Sequence, residues 1–148
     1  QILLFFPDTF AAQTSLIETV ENYLTVRTRL AIVDTITSLY RVSLGSAQQT
    51  FVLNRELNRQ LAYLSEVAVR RKLVVFLTSQ VHARLDFPFG RIEPVARRTL
   101  AHWPRTILRL KNTSDQSRKE IIVERGKGRQ TGSLKCSAKL AGRGFEPI

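Results

Sequence analysis

The sequence of this 148-residue chain contains no methionine, one cysteine and one tryptophan. A complete gene product begins with Met, whereas this chain begins at Gln1, directly on the apolar residues 2–6. We therefore expect a fragment whose front is missing, with a processed chain as the alternative. The single cysteine, Cys136, cannot form an internal disulfide, which is typical of a reducing, intracellular compartment and leaves simple packing as the expected role of the thiol.

Long apolar runs are also missing. No stretch approaches the roughly 20 apolar residues that a membrane-spanning helix needs, and no basic segment precedes the apolar start, as it would in a signal peptide. We therefore expect no membrane partner and a cytoplasmic location. Hydrophobic residues make up 43% of the chain and charged residues 24%, which is ordinary for a globular protein.

Acidic residues are few, with 12 Asp and Glu against 23 Lys and Arg, for a formal net charge of +11. Residues 1–81 carry 8 basic and 6 acidic side chains, whereas residues 82–148 carry 15 and 6. Because 17 of the cations are arginine, which pairs well with phosphate, the second half predicts a polyanion as partner. A solvated surface that reflects genome composition is the alternative.

The apolar pattern of the first half predicts alternating strands and helices. Buried strands are expected at 2–6, 29–34 and 73–78, the last covered on both faces because it is apolar throughout. Helices are expected over 9–25, with Asp8 as N-cap, and over about 50–72. Residues 43–49 are polar, and their composition predicts a flexible segment.

The second half predicts a long loop followed by hairpin-like strands. Residues 82–97 show no clear period and contain two prolines, so we expect a functional loop there. Strands are expected at 106–110, 120–124 and 134–140, joined by polar turns. Together the two halves predict one α/β domain over 1–148, with a mostly parallel sheet flanked by helices and antiparallel strands added at its C-terminal edge.

One apolar run, "LAIV" at residues 30–33, leads directly into the carboxylate of Asp34. A strand that ends at a helix cap explains this pattern. A magnesium site at the carboxyl end of a parallel strand explains it as well, because Mg²⁺ prefers oxygen ligands and is often held beside phosphates. This stretch alone leaves both interpretations open.

Other chemistry is limited by what the sequence lacks. The phosphate-binding pattern G-x-x-x-x-G-K-[ST] does not occur. "GKGRQTG" at 126–132 has its residues in another order, and "GSAQQT" at 45–50 has no lysine. Two histidines, His82 and His102, and one cysteine do not form a zinc-binding pattern. No Ser/His/Asp arrangement indicates a hydrolase.

Four segments in order resemble the archaeal RadA/RadB family of recombinases, and the RadB branch most. They are "LAIVDTITSLYR", "LNRELNRQLAYLSEVAVRRKLVVFLTSQV", "PVARRTLAHWPRTILRLKN" and the closing turn "RGFE" at 143–146. The resemblance covers nearly the whole chain and implies a RecA-like ATPase core, of which the chain would be the C-terminal two-thirds. The P-loop would then lie ahead of Gln1, so we expect this chain alone not to hydrolyse ATP.

The resemblance also implies a nucleotide site. Asp34 corresponds to the Walker B aspartate, which would hold Mg²⁺ through water, with Thr35 as a hydrogen-bonding helper. Gln80 corresponds to the residue that links the γ-phosphate of ATP to the second DNA-binding loop, although Ser79 stands where the family has Asn. Asp34 and Gln80 are therefore the expected catalytic residues, and Asp34, Thr35 and Gln80 the expected ATP-binding residues.

The resemblance places the first DNA loop at 42–49 and the second at 82–97. It implies phosphate contacts by arginine and base stacking by phenylalanine. The candidates are Arg41, Arg84, Phe87, Phe89, Arg91, Arg97 and Arg98. Packing within the loop is the alternative for the two phenylalanines. Ala96-Arg97 replaces the family's Gly-Gly pair, which removes backbone freedom at a hinge.

His102 lies where the family often places a residue that reaches the ATP of a neighbouring subunit. A histidine packed beside Trp103 in a turn is the interpretation that we prefer.

The expected function is that of a RadB-type protein of DNA repair and homologous recombination. It would bind single-stranded DNA and ATP and modulate the main recombinase, with weak or DNA-dependent ATPase activity in the whole protein. Expected partners are a RadA-type recombinase, a Holliday-junction resolvase and further copies of the chain, in a nucleoid-associated location. The alternatives are a KaiC-like regulatory ATPase that needs no DNA and a non-catalytic scaffold paralogue.

Overall fold

The computed structural model describes residues 2–84, 91–126 and 129–148, of which 82–84, 91–93 and 129–133 are described by their backbone alone. The chain divides into two compact units, Gln1–Trp103 and Pro104–Ile148. The first unit contains helices and short strands, and the second contains one antiparallel sheet. The architecture is α/β, as predicted, and the pairing of the strands gives its details.

The first unit is built on a pair of parallel strands, β1 (Leu30–Val33) and β2 (Val74–Leu77), which run side by side in register. Alternate residues of the pair face opposite sides. One side packs against the hydrophobic core and the other is exposed, with Ile32 60% and Phe76 49% accessible. Both strands were predicted, but the expectation that residues 73–78 are covered on both faces is wrong for the part of the chain that the structure describes.

Residues 2–6 form no strand, so the expected buried strand at the start of the chain is wrong. All five side chains are exposed, and none of the described strands pairs with them. A strand needs a hydrogen-bonded neighbour to satisfy its backbone, and apolar composition cannot supply one.

Helix α1 (Phe10–Glu18) is shorter than the predicted helix over 9–25. Its N-cap is Thr9, whose hydroxyl accepts from the Ala12 N–H at 3.1 Å, rather than Asp8. It ends at Thr19, whose hydroxyl donates to the Ser15 carbonyl at 2.8 Å. Such back-bonding by threonine competes with helix continuation, and a 3₁₀ turn, Val20–Tyr23, follows.

The short helix α2 (Ser38–Val42) leads into the long helix α3 (Ala47–Arg70). A capping box starts α3: the Gln49 N–H donates to the Ser46 hydroxyl, and the Ser46 N–H donates to the Gln49 side chain. Residues 47–49 therefore form the first helical turn, and the expectation that all of 43–49 is flexible is wrong. The leucine stripe of α3 packs with α1, α2 and the segment after β1 in a core formed by Phe10, Ile17, Ile36, Tyr40, Leu57, Leu61, Leu64 and Val95.

The expected long loop at 82–97 contains two strands instead. Strands β3 (Val81–Arg84) and β4 (Arg91–Pro94) pair antiparallel, with Val81 opposite Pro94 and Arg84 opposite Arg91. Helix α4 (Arg97–His102) follows directly. Backbone pairing needs no apolar period when the strands are polar, which is why the sequence pattern missed it.

The second unit is a four-stranded antiparallel sheet in the order β5 (Ile107–Asn112), β6 (Arg118–Gly126), β7 (Arg129–Ala141) and β8 (Gly144–Pro147). The three predicted strands are confirmed, and the fourth occupies most of the expected closing turn at 143–146. Gly144 has φ +119°, a conformation that favours glycine. Cys136 is exposed on β7, so its predicted packing role is wrong.

Candidate functional site

The carboxyl ends of β1 and β2 meet at one edge of the parallel pair. Beyond the strands, the Thr78 N–H donates to the Val33 carbonyl and the Ile36 N–H donates to the Thr78 carbonyl, both at 3.1 Å. The Thr78 hydroxyl donates to the carboxylate of Asp34. Asp34 itself is exposed, and its peptide bond to Thr35 is cis. The predicted magnesium carboxylate therefore lies at the strand edge with a threonine from the neighbouring strand bound to it.

Thr35 closes the turn that leads into α2. Its hydroxyl accepts from the Ser38 N–H at 3.0 Å, and the Ser38 hydroxyl donates to the Thr35 carbonyl at 3.3 Å. The hydroxyl that contacts Asp34 is thus that of Thr78, a residue that sequence analysis did not nominate. The Thr-Ser-Gln run after β2 indicates that polar side chains gather at this edge. It does not show which hydroxyl contacts Asp34, because that depends on the register of the two strands.

Thr37, in the segment that follows β1, is hydrogen-bonded to the segment that follows β2. It is fully buried, at 0% exposure, and its hydroxyl lies 3.2 Å from the Ser79 hydroxyl. The same oxygen accepts from the Gln80 N–H at 3.2 Å. Asp34 and Gln80 are therefore brought to the same edge, on adjacent segments that one threonine ties together.

The backbone of Gln80 is held on both sides. Its N–H is bound by Thr37, and its carbonyl accepts from the Val95 N–H at 3.0 Å. Its side-chain amide is exposed and has no hydrogen-bond partner among the described residues. An amide free on a fixed backbone can accept from a water and donate to a phosphate oxygen.

A buried chain of amides supports this edge from the core. Gln13 Nε2 donates to the Ile36 carbonyl at 3.2 Å and to Gln60 Oε1 at 2.8 Å, and Gln60 Nε2 donates to the Thr14 hydroxyl at 2.7 Å. Gln13 and Gln60 are 3% and 2% exposed. Buried polar groups that are fully bonded fix one arrangement of the elements that carry them, so α1 and α3 both hold the segment after β1.

Two of the candidate DNA-binding segments are docked on α3 by aromatic donors. The Tyr40 hydroxyl donates to Asn54 Oδ1 at 2.8 Å, and Trp103 Nε1 donates to Asn58 Oδ1 at 2.7 Å. Burial raises the pKa of Tyr40, which keeps its hydroxyl protonated as a donor. Arg41 follows Tyr40 on α2 and is exposed.

The remaining arginines lie near the hairpin formed by β3 and β4. Arg97 and Arg98 open α4, and both are exposed. Arg84 and Arg91 lie opposite each other on the hairpin and are described by their backbone alone, whereas Phe87 and Phe89 lie outside the described residues.

Ala96 precedes α4 in the left-handed region, with φ 54° and ψ 38°. This conformation disfavours a side chain with a Cβ atom, at a position where the resemblance has glycine. His102 packs edge-on against Trp103, with ring centroids 5.1 Å apart. His102 itself is exposed, so the structure shows the expected contact with Trp103 but not a buried histidine.

The oxygen atoms at the strand edge fit a magnesium ion held through water and phosphate. Asp34 offers an exposed carboxylate, and the hydroxyls beside it belong to the hard oxygen donors that Mg²⁺ prefers. Among the residues that the structure describes, no group of three or more His, Cys, Asp or Glu side chains could hold a metal by itself. A nucleotide-bound magnesium ion typically receives one or two carboxylates from a protein, with phosphates and waters as its other ligands.

Comparison with known proteins identifies the class. The sequence profile of the Rad51 family matches residues 8–130. The chain belongs to this family.

Within the family the chain is similar to RadB. It is 31% identical over 121 residues to the DNA repair and recombination protein RadB of Methanococcoides burtonii, covering 82% of this chain and 53% of that protein. It is 30% identical over 148 residues to the RadB of Thermococcus gammatolerans, covering all of this chain and 64% of that protein. A crystal structure of the RadB recombinase superposes with a TM-score of 0.77 at 29% identity.

These matches confirm the predicted family, its RadB branch and the fold class. The superposition covers 98% of this chain and 63% of the RadB structure, so the chain spans between half and two thirds of the length of these relatives. In the part of the chain that the structure describes, no helix combines the length and the hydropathy needed to cross a bilayer.

Proposed function

We propose that residues 1–148 belong to a RecA-like ATPase core that works in DNA repair and homologous recombination. In this proposal the edge formed by Asp34, Thr78 and Gln80 responds to a bound nucleotide, and the segments around α2 and α4 contact single-stranded DNA. One observation carries the proposal: a continuous chain of hydrogen bonds runs from Thr37 through Gln80 to Val95, immediately before α4.

The nucleotide half of the proposal rests on the oxygen donors of the strand edge. Asp34 would hold Mg²⁺ through water, with the Thr78 hydroxyl fixing one carboxylate oxygen and leaving the other available. Mg²⁺ bound with ATP neutralises phosphate charge. The exposed amide of Gln80 would contact a phosphate oxygen, and Thr35 would hold the turn beside them.

The link to DNA follows from the fixed backbone of Gln80. Because both its N–H and its carbonyl are bonded, a displacement of Gln80 by a phosphate would move Val95 and the adjoining α4. Arg97 and Arg98 lie on α4, so nucleotide binding would change the position of two candidate phosphate ligands.

The DNA half of the proposal rests on charge. Arg41 and Arg98 are exposed, and no carboxylate of the described residues pairs with them. By contrast, Arg59 and Arg70 on α3 are held by Glu18, Glu56, Glu21 and Glu66. Unpaired arginines release counterions on binding phosphate without first breaking an ion pair. Arg84 and Arg91 on the hairpin would add to this surface, with Phe87 and Phe89 available to stack on bases.

The expected partners and location belong to the same proposal. A protein of this kind would act with a RadA-type recombinase and with a Holliday-junction resolvase, in the cytoplasm at the nucleoid. A KaiC-like regulatory ATPase would lack salt-dependent DNA affinity, and a scaffold paralogue would lack nucleotide-dependent behaviour.

The test compares two arginines without a carboxylate partner among the described residues with two that are ion-paired. In the full-length protein, Arg41→Ala combined with Arg98→Ala should weaken binding to single-stranded DNA, measured by fluorescence anisotropy of a labelled oligonucleotide. Each lost phosphate contact should reduce the slope of log affinity against log salt by about 0.7, so the pair should reduce it by about 1.4.

Arg59→Ala combined with Arg70→Ala is the control, because it removes the same two charges from ion-paired positions on α3. It should leave the salt slope at its wild-type value. If the double variant and the control have equal effects, or if the wild-type protein shows no salt-dependent affinity, the DNA-binding proposal is wrong.

A further inference from the structure

Helix α3 carries two asparagines one turn apart, Asn54 and Asn58, in its interior. Asparagine is a poor helix former, because its side chain competes for backbone hydrogen bonds. Residues four apart lie next to each other on one face of a helix. The two side chains therefore offer neighbouring hydrogen-bond acceptors on one face of α3. Because each asparagine destabilises the helix, we look for contacts with other elements that account for it.

Each asparagine accepts from an aromatic side chain of a different element. Asn54 Oδ1 accepts from the Tyr40 hydroxyl of α2 at 2.8 Å, and Asn58 Oδ1 accepts from Nε1 of Trp103, directly after α4, at 2.7 Å. Tyr40 is 3% exposed and packs edge-on against Phe10, so its ring has little freedom. Both contacts use the donor at the far end of a large, rigid side chain.

The two elements held in this way cannot fix their own orientation. Helix α2 has 5 residues and α4 has 6, well below the roughly 12 residues that an isolated helix needs for even marginal stability. Their orientation must come from contacts with longer elements. The asparagine contacts are directional, which apolar packing alone is not.

The arginines of the proposed DNA surface lie on these same short helices. Arg41 immediately follows Tyr40, and Arg98 lies in the helix that Trp103 ends. The position of each arginine therefore depends on the short helix that carries it, and that helix is held by one aromatic donor and one asparagine acceptor.

We infer that Asn54 and Asn58 are positioning residues that align the arginines of α2 and α4 on α3 as one surface for single-stranded DNA. This inference rests on the proposed DNA-binding function. In this inference the side-chain carbonyls of Asn54 and Asn58 on α3 align α2 with α4. Neither asparagine needs to touch DNA.

The test is a pair of double-mutant cycles in the full-length protein. Asn58→Leu removes the acceptor and Trp103→Phe removes the donor, whereas Asn54→Leu and Tyr40→Phe do the same for the other contact. Leucine is a better helix former than asparagine, so a loss of affinity cannot be attributed to a weakened α3. Tyr40→Phe removes one hydroxyl and keeps the ring in the core, which provides a variant that folds.

The measured quantity is the salt slope of single-stranded DNA affinity. Each single variant should reduce the slope by about 0.7, equivalent to one phosphate contact. Within a cycle, the salt slope of the double variant should equal that of each single variant, because every one of these variants removes the same hydrogen bond. Between cycles, Asn58→Leu and Tyr40→Phe should add, because they release different arginines.

Trp103 supplies a second readout, since it is the only tryptophan of residues 1–148. The difference in emission between each variant with Trp103 and the same variant with Trp103→Phe isolates its signal in the full-length protein. Asn58→Leu should shift its emission and raise its quenching by acrylamide, whereas Asn54→Leu should leave both unchanged. A merely structural destabilisation would not separate the two asparagines in this way.

The failures are distinguishable. If Arg98→Ala weakens DNA binding while Asn58→Leu keeps the wild-type slope, the positioning inference is overturned and the proposed function stands. Effects that add within a cycle overturn it as well, because the hydrogen bond is then not their common cause. If the wild-type protein does not bind single-stranded DNA, both the proposed function and this inference fail.

Discussion

At the scale of single residues, the candidate site depends on hydroxyl groups that the sequence does not single out. Asp34 and Gln80 follow apolar runs and were nominated from the sequence, and the structure brings them to one edge. Thr78 and Thr37 were not nominated, although their hydroxyls contact Asp34 and the Gln80 backbone. A threonine contains no local signal about a partner that lies more than 40 residues away, because that partnership is set by strand register.

Thr37 supports a prediction at this scale. Thr37→Val has nearly the same shape and removes only the hydroxyl, which leaves the Gln80 N–H without its acceptor. This hydrogen bond is partly buried, and its loss should cost about 1 kcal/mol, so the variant should unfold at lower denaturant concentration. It should also reduce the effect of ATP and Mg²⁺ on single-stranded DNA affinity, measured by anisotropy with and without nucleotide.

Thr37→Ser is the matched control, since it keeps the hydroxyl and loses a methyl group. It should retain the nucleotide effect even where its stability falls. An undiminished nucleotide effect in Thr37→Val would show that this hydroxyl does not connect the two strand ends functionally.

At the scale of elements, apolar periodicity predicts which elements exist, and capping chemistry decides where they begin and end. The stripe of α3 was evident from leucines at helical spacing, but its start was expected three residues late, because the Ser46–Gln49 capping box lies in a polar segment. The β3–β4 hairpin was missed for a related reason: its pairing satisfies backbone groups without an apolar pattern. Residues 2–6 show the opposite case: they are apolar, but they pair with none of the described strands and form no strand themselves.

The cap of α3 gives the prediction at this scale. Ser46→Ala removes the acceptor for the Gln49 N–H and should lower the free energy of unfolding by about 1 kcal/mol. Thermal denaturation followed by circular dichroism measures this change.

Ser65→Ala makes the same substitution in the interior of α3 and serves as control. Alanine is the better helix former there, so this variant should be equally or more stable than the wild type. Equal losses for Ser46→Ala and Ser65→Ala would contradict the assignment of Ser46 as the N-cap.

At the scale of the whole molecule, the order of strands and helices was sufficient to predict an α/β fold, and the family resemblance implied that it is of the RecA-like kind. That order reflects alternation along the chain, which survives errors of several residues at each boundary. It did not contain the division into two compact units or the fourth strand of the second sheet. Those features depend on long-range contacts and on one turn at Gly144, for which local patterns are weak signals.

The nucleotide half of the proposed function is tested best on the whole protein. Asp34→Asn keeps an oxygen that accepts from the Thr78 hydroxyl and removes the negative charge that would hold Mg²⁺ through water. Because electrostatic stabilisation of this kind contributes about 100-fold or more to turnover, magnesium-dependent ATP hydrolysis by the full-length protein should fall by about that factor. Unfolding transitions should stay close to those of the wild type, since Asp34 is exposed.

Asp8→Asn removes an equal charge from another exposed aspartate and should leave hydrolysis unchanged. Retained turnover in Asp34→Asn would show that the magnesium carboxylate lies elsewhere in the protein. Lost turnover combined with unchanged single-stranded DNA affinity in the absence of nucleotide would separate the two halves of the proposed function: the strand edge would act on the nucleotide, and the arginines of α2 and α4 would bind DNA without it.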